Sequence, residues 1–304
     1  MDILNDVLKT LRLSSKVFLD AKFCDEWVID MSSMNLQINF HVIANGDCWL
    51  HTPDTPTPIA LHAGDLMFCL HNPLLFISHS SEYPADDLPR NMPTTEDKQG
   101  KSTSLICGYC EFLQHYWNPI LKELPDVMVI PAADSTKTNL AIIINMMIAE
   151  TNYGHVGSNA IVDRLSDILF IEAIRTYMLL HETNLGYIAV LKDPRLSKAL
   201  TSFHKQPEHH WCVQALSEEA GMSRSGFAEQ FKKMLNMSPM EYVTGWRMQQ
   251  AYDMLISENK SVMHIAENCG YQSEPAFRKA FKKQFNVGPG TIRREAREPA
   301  GSVH

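Results

Sequence analysis

The chain has 304 residues, 45% hydrophobic and 20% charged, an ordinary composition for a globular protein and enough length for two domains. No apolar run approaches the roughly 20 residues that cross a bilayer, and the opening MDILNDVLKTLRL carries acids that a secretory signal would lack. The net charge of −8 is uneven: from Pro194 onward 15 Lys and Arg stand against 11 Asp and Glu, leaving 12 bases and 24 acids in the first 193 residues. A mildly basic end behind an acidic front suits a nucleic-acid-binding module joined to a part that avoids nucleic acid. Seven scattered cysteines make no disulfide framework, so a cytoplasmic protein with no membrane association is expected.

In chain order, residues 1 to about 20 read as a short helix. From Phe23 to Phe112 the helical period gives way to β-rich pieces: Leu36–Ile43, Cys48–His51, Leu66–Leu70, Leu75–Ser78 and Ser104–Phe112. Turn clusters such as Asn45-Gly46-Asp47 and Ala63-Gly64-Asp65 separate them, which predicts a sandwich or barrel. The polar stretch from Ser80 to Thr103 is expected to be a loop. The run Leu61-His62-Ala63-Gly64-Asp65-Leu66-Met67-Phe68 resembles the Gly-Asp turn of the cupins, with Ala63 in place of the usual Pro and Leu75 about where a metal-binding cupin places its downstream His.

Five histidines (His41, His51, His62, His71, His79) crowd this region without any metal-ligand spacing, so they are read as surface or barrel-lining groups, with no metal and no cofactor. A barrel without metal is expected to bind a small molecule rather than to be an enzyme, and Phe40, Trp49, Phe68 and Phe76 are the pocket candidates. Cys24, Cys107 and Cys110 are the redox candidates. On an extended strand Cys107 and Cys110 point to opposite faces, so buried inert thiols are the simpler reading, and an oxidative response involving Cys24 and Cys107 is the alternative.

Helical patterning returns with Asn139–Thr151 and Ser158–Leu180. The second carries a wide stripe of Ile161, Leu165, Ile168, Leu169, Ala173 and Tyr177, suited to covering the barrel or to meeting a second subunit as a homodimer. The domains are therefore placed at 1–135 (sensor barrel), 136–183 (helical, with a possible dimer contact), 184–193 (linker) and 194–297 (DNA-binding).

The last region is built on a repeat. FAEQFKKMLNMSP (227–239) and FRKAFKKQFNVGP (277–289) match at a constant offset of 50 in two phenylalanines, a Lys pair, an Asn and a Pro. Each copy follows a short apolar helix ending at Gly221 or Gly270, which predicts two helix-turn-helix units: Val213–Ala220 with Arg224–Leu235, and Val262–Cys269 with Glu274–Phe285. A longer helix from Ser238-Pro239 to Ser257 joins them. The spacing Ile265-Ala266-x-x-x-Gly270-Tyr271-x-Ser273-x-x-x-Phe277-x-x-x-Phe281-Lys282-x-x-Phe285-x-x-x-Pro289 resembles the AraC/XylS DNA-binding domain, with Ser217 where that family usually has Ala.

Side chains at the start of each second helix reach base edges, which makes Arg224 and Arg278 or Lys279 the first base-contact candidates; the resemblance implies base reading at Arg224, Ser225, Gly226 and Glu229 in the first unit and at Glu274, Pro275 and Lys279 in the second. Phosphate-contact candidates are Ser223, Lys232, Lys233, Ser273, Lys282 and Lys283. The resemblance, taken with the cupin-like front, implies a two-domain fold: an N-terminal cupin-like barrel with flanking helices and a C-terminal all-α double helix-turn-helix. It implies a transcription activator that binds promoter DNA, contacts RNA polymerase and answers to a small apolar inducer or to oxidants, at an efflux or stress operon.

Overall fold

The computed structural model describes residues 13–24, 26–31, 38–53, 55–70, 75–83, 102–112, 120–121, 124–181 and 186–297. The chain divides into two compact units, each with its own core. His71 and most of the polar stretch between Ser80 and Thr103 lie outside the described residues.

The first unit holds two antiparallel sheets. Among the described residues nine strands supply them: β1 (Leu13–Cys24), β2 (Val28–Asp30), β3 (Ile38–Asn45), β4 (Asp47–Thr52), β5 (Thr55–His62), β6 (Leu66–Cys69), β7 (Phe76–Ser78), β8 (Ser102–Phe112) and β9 (Val127–Ile130). One sheet has the order β1-β8-β3-β6-β9 and the other β2-β7-β4-β5. The helix expected over residues 1 to 20 is corrected from Leu13 onward, where the chain is β1, paired with β8 from Leu13↔Phe112 to Cys24↔Ser102. Residues 1–12 are not described. β5 is a strand that the sequence hides, because TPTPIALH reads as a turn; at the edge of a sheet its prolines need not donate to a neighbour.

Strand alternation sorts the side chains. Toward the other sheet point Ile43, Cys48, Leu50, Leu61, Met67, Cys69, Ile77, Leu105 and Cys107, joined by Phe23 and Trp27 in one apolar cluster. Three helices follow: α1 (Ala132–Ser135), α2 (Leu140–Tyr153) and α3 (Ser158–Leu180). α3 covers the outer face of the five-stranded sheet, where Phe170 meets Phe68 at 5.3 Å between ring centroids and Phe68 meets Phe40 at 5.7 Å. Gly108 makes this packing possible: it stands opposite Phe40, and a Cβ there would lie 2.3 Å from the Phe40 ring. α3 also caps the sheet edge, since Asp167 and Asp163 accept the β1 backbone N–H groups of Ser15 (2.9 Å) and Val17 (3.1 Å). The Gly-Asp turn has a structural job: the Asp65 carboxylate accepts from the backbone N–H of His62 (2.8 Å) and of Ala132 (2.7 Å), fixing the start of β6 against α1.

The second unit is helical: α4 (Gly186–Lys192), α5 (Pro194–Lys205), α6 (Val213–Ala220), α7 (Arg224–Leu235), α8 (Pro239–Ser257), α9 (Val262–Asn268), α10 (Glu274–Phe285) and α11 (Pro289–Arg297). The expected linker over 184–193 is corrected: residues 186–192 form α4, and buried Tyr187 brings its hydroxyl to 3.1 Å from that of Tyr242 in α8. Phe227, Phe231, Phe277, Phe281 and Phe285 are all fully buried, so the repeated phenylalanines build the two cores.

Candidate nucleic-acid interface and sensor interior

In the first helix-turn-helix, α6 ends at Gly221 in the left-handed region (φ 63°). Ser223 then caps α7, its hydroxyl accepting from the Gly226 N–H at 3.2 Å. Burying Phe227, Phe231 and Leu235 turns Arg224, Ser225, Glu229, Lys232 and Lys233 outward, all exposed, with Gly226 half-buried. Ser217, at the position of the usual Ala, is fully buried and satisfied by donating to the Gln214 carbonyl at 2.8 Å. Asn236 closes the helix in the left-handed region (φ 50°), and a capping box between Ser238 and Glu241 starts α8.

The second unit repeats this frame with changes. α9 is capped by Ser261, Gly270 turns the chain (φ 76°), and Asn286 ends α10 (φ 60°). Ser273 precedes α10 but makes no capping bond with its side chain. Pro275, Arg278, Lys279, Lys282 and Lys283 are exposed and Glu274 is half-buried. Arg278 donates from Nε (2.7 Å) and Nη2 (2.6 Å) to one oxygen of Glu274, an i,i+4 pair that sequence spacing alone would allow but not establish.

One buried side chain joins the two helix-turn-helix units. Arg247 in α8 is buried and donates to the carbonyls of Pro207 (2.8 Å) and His209 (2.6 Å), while its guanidinium lies under Gly270; sequence reasoning missed it. Glu241, at the start of α8, is held below the usual carboxylate range by its bonds to Ser238 and, more weakly, by Lys232 and Lys283. Beside it, a cleft of about 760 Å³ runs between the start of α8 and α10, with Met237 and Met240 on one side and Ala276, Lys279 and Lys283 on the other.

In the sensor unit the four pocket candidates face away from the interior between the sheets. Phe40 and Phe68 face away from the inter-sheet interior and pack beneath α3. Trp49 alternates with interior Cys48 and Leu50, and Phe76 stands next to interior Ile77 and against Tyr83, so both lie on the outer face of their sheet. The interior instead holds a polar pair. His41 Nδ1 lies 2.9 Å from Cys107 Sγ, and His41 Nε2 is buried without a partner. Burial pushes the His41 imidazole down to about 3 and pushes the Cys107 thiol up, so both groups are uncharged at neutral pH.

Cys110 faces the other way, where its sulfur meets the Ser15 hydroxyl at 3.4 Å; burial pushes its thiol up to about 12. Cys24 pairs in register with Ser102 and Cys107 with Leu19, five positions along β1 and thus roughly 16 Å away. A disulfide needs Cα atoms within about 7 Å, so Cys24 and Cys107 cannot bond to each other in this fold. Of the histidines, His51 is buried beside Ser78 and exposed His62 pairs with Asp47 at 2.8 Å. Among the described residues no group of three His, Cys, Asp or Glu side chains could hold a metal ion, and no helix is long and apolar enough to cross a membrane.

Comparison with known proteins agrees with both halves. A cupin family model matches residues 2–179, and a helix-turn-helix domain model matches residues 216–295. Similar full-length relatives include the HTH-type transcriptional regulator AlkR of Acinetobacter baylyi, 28% identical over 97% of this chain and all of that protein. The HTH-type transcriptional regulator MtrA of Neisseria gonorrhoeae is 26% identical over 97% of this chain and 99% of its own. The RCS-specific HTH-type transcriptional activator RclR of Escherichia coli is 26% identical over 99% of this chain and all of its own. The chain belongs to the cupin family through its N-terminal domain and, through the double helix-turn-helix behind it, is a DNA-binding transcriptional regulator of the AraC type.

Proposed function

We propose that this protein is a cytoplasmic transcription activator that reads promoter DNA with α7 and α10 and answers to a small apolar molecule taken up by its cupin domain, at an efflux or stress operon. The observation that carries the DNA reading is the paired arrangement of α7 and α10. Each turns its phenylalanines inward and a Lys pair outward. Arg224, Ser225, Gly226 and Glu229 of α7 and Glu274, Pro275, Arg278 and Lys279 of α10 stand at the base-facing ends. Ser223, Ser273 and the lysines stand toward phosphate.

The activator role takes its support from a similar relative named as an activator, and an activator of this kind would contact RNA polymerase. A homodimer is supported by α3, whose Ile161 (43% exposed) and Ile168 (48%) lie on the side away from the barrel. The inducer's place moves from the outward-facing phenylalanines to the apolar interior between the sheets, around Trp27 and Met67.

The test measures affinity for promoter DNA across salt concentrations. Replacing Lys232, Lys233, Lys282 and Lys283 by Ala should weaken binding to every sequence and flatten the salt dependence, by roughly 0.9 in the log–log slope for each phosphate that is no longer neutralised. Arg224→Ala should lower affinity and relax sequence preference; no change in either would remove it as a base reader. Melting curves with hydrophobic dyes and detergents test the inducer, which should raise the melting temperature of the sensor unit.

A second reading, oxidant sensing through Cys24 and Cys107, draws on the relative named RCS-specific and on the contact between His41 and Cys107. The neutral, buried state of Cys107 counts against ready oxidation, because the thiolate is the reactive form. Cys24→Ser and Cys107→Ser would each abolish oxidant-induced transcription if this reading holds.

A further inference from the structure

The two reading helices share one frame but carry opposite charge at two equivalent positions. With Phe227 matched to Phe277, Arg224 of α7 corresponds to Glu274 of α10, and Glu229 corresponds to Lys279. The frame itself is repeated in three dimensions, because Phe227 and Phe231 are buried in one unit as Phe277 and Phe281 are in the other. Each helix therefore offers its first-turn residue at the same place relative to its own core, and in helix-turn-helix proteins that place meets base edges in the major groove.

A carboxylate there is unusual on charge grounds alone, since it faces phosphates. The structure answers this locally. Arg278, one turn later, donates from both Nε (2.7 Å) and Nη2 (2.6 Å) to Oε1 of Glu274. The guanidinium offsets the carboxylate's charge and fixes its direction, leaving Oε2 to accept from something else. In the major groove, the donors that a carboxylate oxygen can take are the exocyclic amino groups, and the amino group of cytosine is the usual partner of Glu and Asp. Arg224 has the opposite capacity: it is exposed, it donates only, and guanine O6 and N7 are its usual partners. The corresponding residue to Arg278 in α7 is Ala228, so the first unit has no such clamp.

We propose that α10 selects cytosine through Glu274, held in place by Arg278, whereas α7 selects guanine through Arg224, so that the two operator segments are read with opposite chemistry at equivalent positions. This rests on the reading of α10 as a major-groove helix. The plainer role for Glu274, an acid near the positive end of a helix with an i,i+4 partner, predicts no effect on base preference.

Selection of binding sites from randomised DNA by the full chain separates these roles. The wild type should enrich cytosine at one position of the second segment by roughly tenfold over the other bases, the usual scale of one good base contact. Glu274→Gln should shift that position toward adenine, because a side-chain amide pairs with adenine N6 and N7. Glu274→Ala should flatten that position alone, and Arg278→Ala should reduce the cytosine preference without moving it to adenine. A shift from one base to another cannot come from loosened folding, so the Gln variant guards against that explanation. If Glu274→Ala and Glu274→Gln leave the selected sequence unchanged while Lys282→Ala with Lys283→Ala still weakens binding, α10 meets DNA but Glu274 does not read it, and the proposal fails. If the lysine variants also bind as the wild type does, the reading of α10 as a DNA helix fails with it.

Discussion

The two helix-turn-helix units have the same plan and different tolerances. In the first, the turn at Gly221 is open, with nothing within 4 Å of where a Cβ would stand. In the second, Gly270 is walled in: a Cβ would meet the Glu208 carbonyl oxygen at 2.6 Å and the Arg247 guanidinium at 2.8 Å. The first turn needs glycine for its backbone angle alone; the second needs it for the angle and for space. The pair is locked together at the second turn. Arg247 holds the segment before the first unit through the carbonyls of Pro207 and His209, and the second unit's turn lies on its guanidinium, so one buried charge ties both units to α8.

The largest effect should follow from closing that space. Gly270→Ala adds overpacking against a backbone oxygen to the strain of a left-handed alanine and should destabilise the DNA-binding unit by about 3 kcal/mol or more. Gly221→Ala carries only the backbone strain, about 1–2 kcal/mol. Urea unfolding of the two variants measures both. Equal losses would show that both the Glu208 carbonyl and Arg247 give way freely and that the two turns are equivalent.

A smaller effect sets the cores apart. His204 of α5 is half-buried next to the first unit: its Nε2 lies 2.8 Å from the Tyr242 hydroxyl, its ring meets Trp246 edge-on at 4.1 Å, and its buried Nδ1 has no partner. Burial pushes its imidazole down to about 3. Below the ordinary pKa of about 6.5 the unfolded chain binds a proton that the folded chain refuses, so this contribution is intact at neutral pH and is lost as pH falls from about 6.5 toward 3. At pH 5.5 the loss is about 1.4 kcal/mol, one pKa unit's worth. Unfolding followed by Trp246 fluorescence should weaken between pH 7 and 5.5 in the wild type and weaken less in His204→Gln, which cannot titrate there. A pH response identical in the variant would place the acid sensitivity elsewhere.

How much of this was legible depends on what each pattern encodes. The double helix-turn-helix is written in residues with few substitutes: phenylalanines spaced four apart, a glycine for the turn and a proline at the next helix start, and α6, α7 and α10 fall where these place them. The barrel strands were legible as strands but not in their facing. Phe40 and Val42 point one way and His41 and Ile43 the other, yet all four are fully buried, so alternation of hydrophobicity is silent about which face is interior. Gly108, which makes room for Phe40, carried the missing information, but only once its strand partner was known. α4 reads as linker in the sequence because seven residues hold little period; its place is set by a tyrosine pair 55 residues apart in sequence.

The finest contrast lies in two serines at equivalent positions. The Ser223 hydroxyl is already engaged, accepting from the Gly226 N–H at 3.2 Å, whereas Ser273 makes no capping bond. Ser223→Ala removes a helix cap and should lower stability by about 1 kcal/mol. Ser273→Ala removes no cap from the folded unit and should stay within about 0.5 kcal/mol of the wild type. On DNA the order should reverse. A hydroxyl that caps nothing at a helix start is available to a phosphate oxygen, so Ser273→Ala should lower affinity a few-fold for all sequences alike. Ser223→Ala, measured where the variant is fully folded, should change affinity less. Thermal melting and DNA titration of both variants give the four numbers. A Ser273→Ala protein that melts early but binds normally would mean that its hydroxyl caps α10 after all, and that the two units use this serine in the same way.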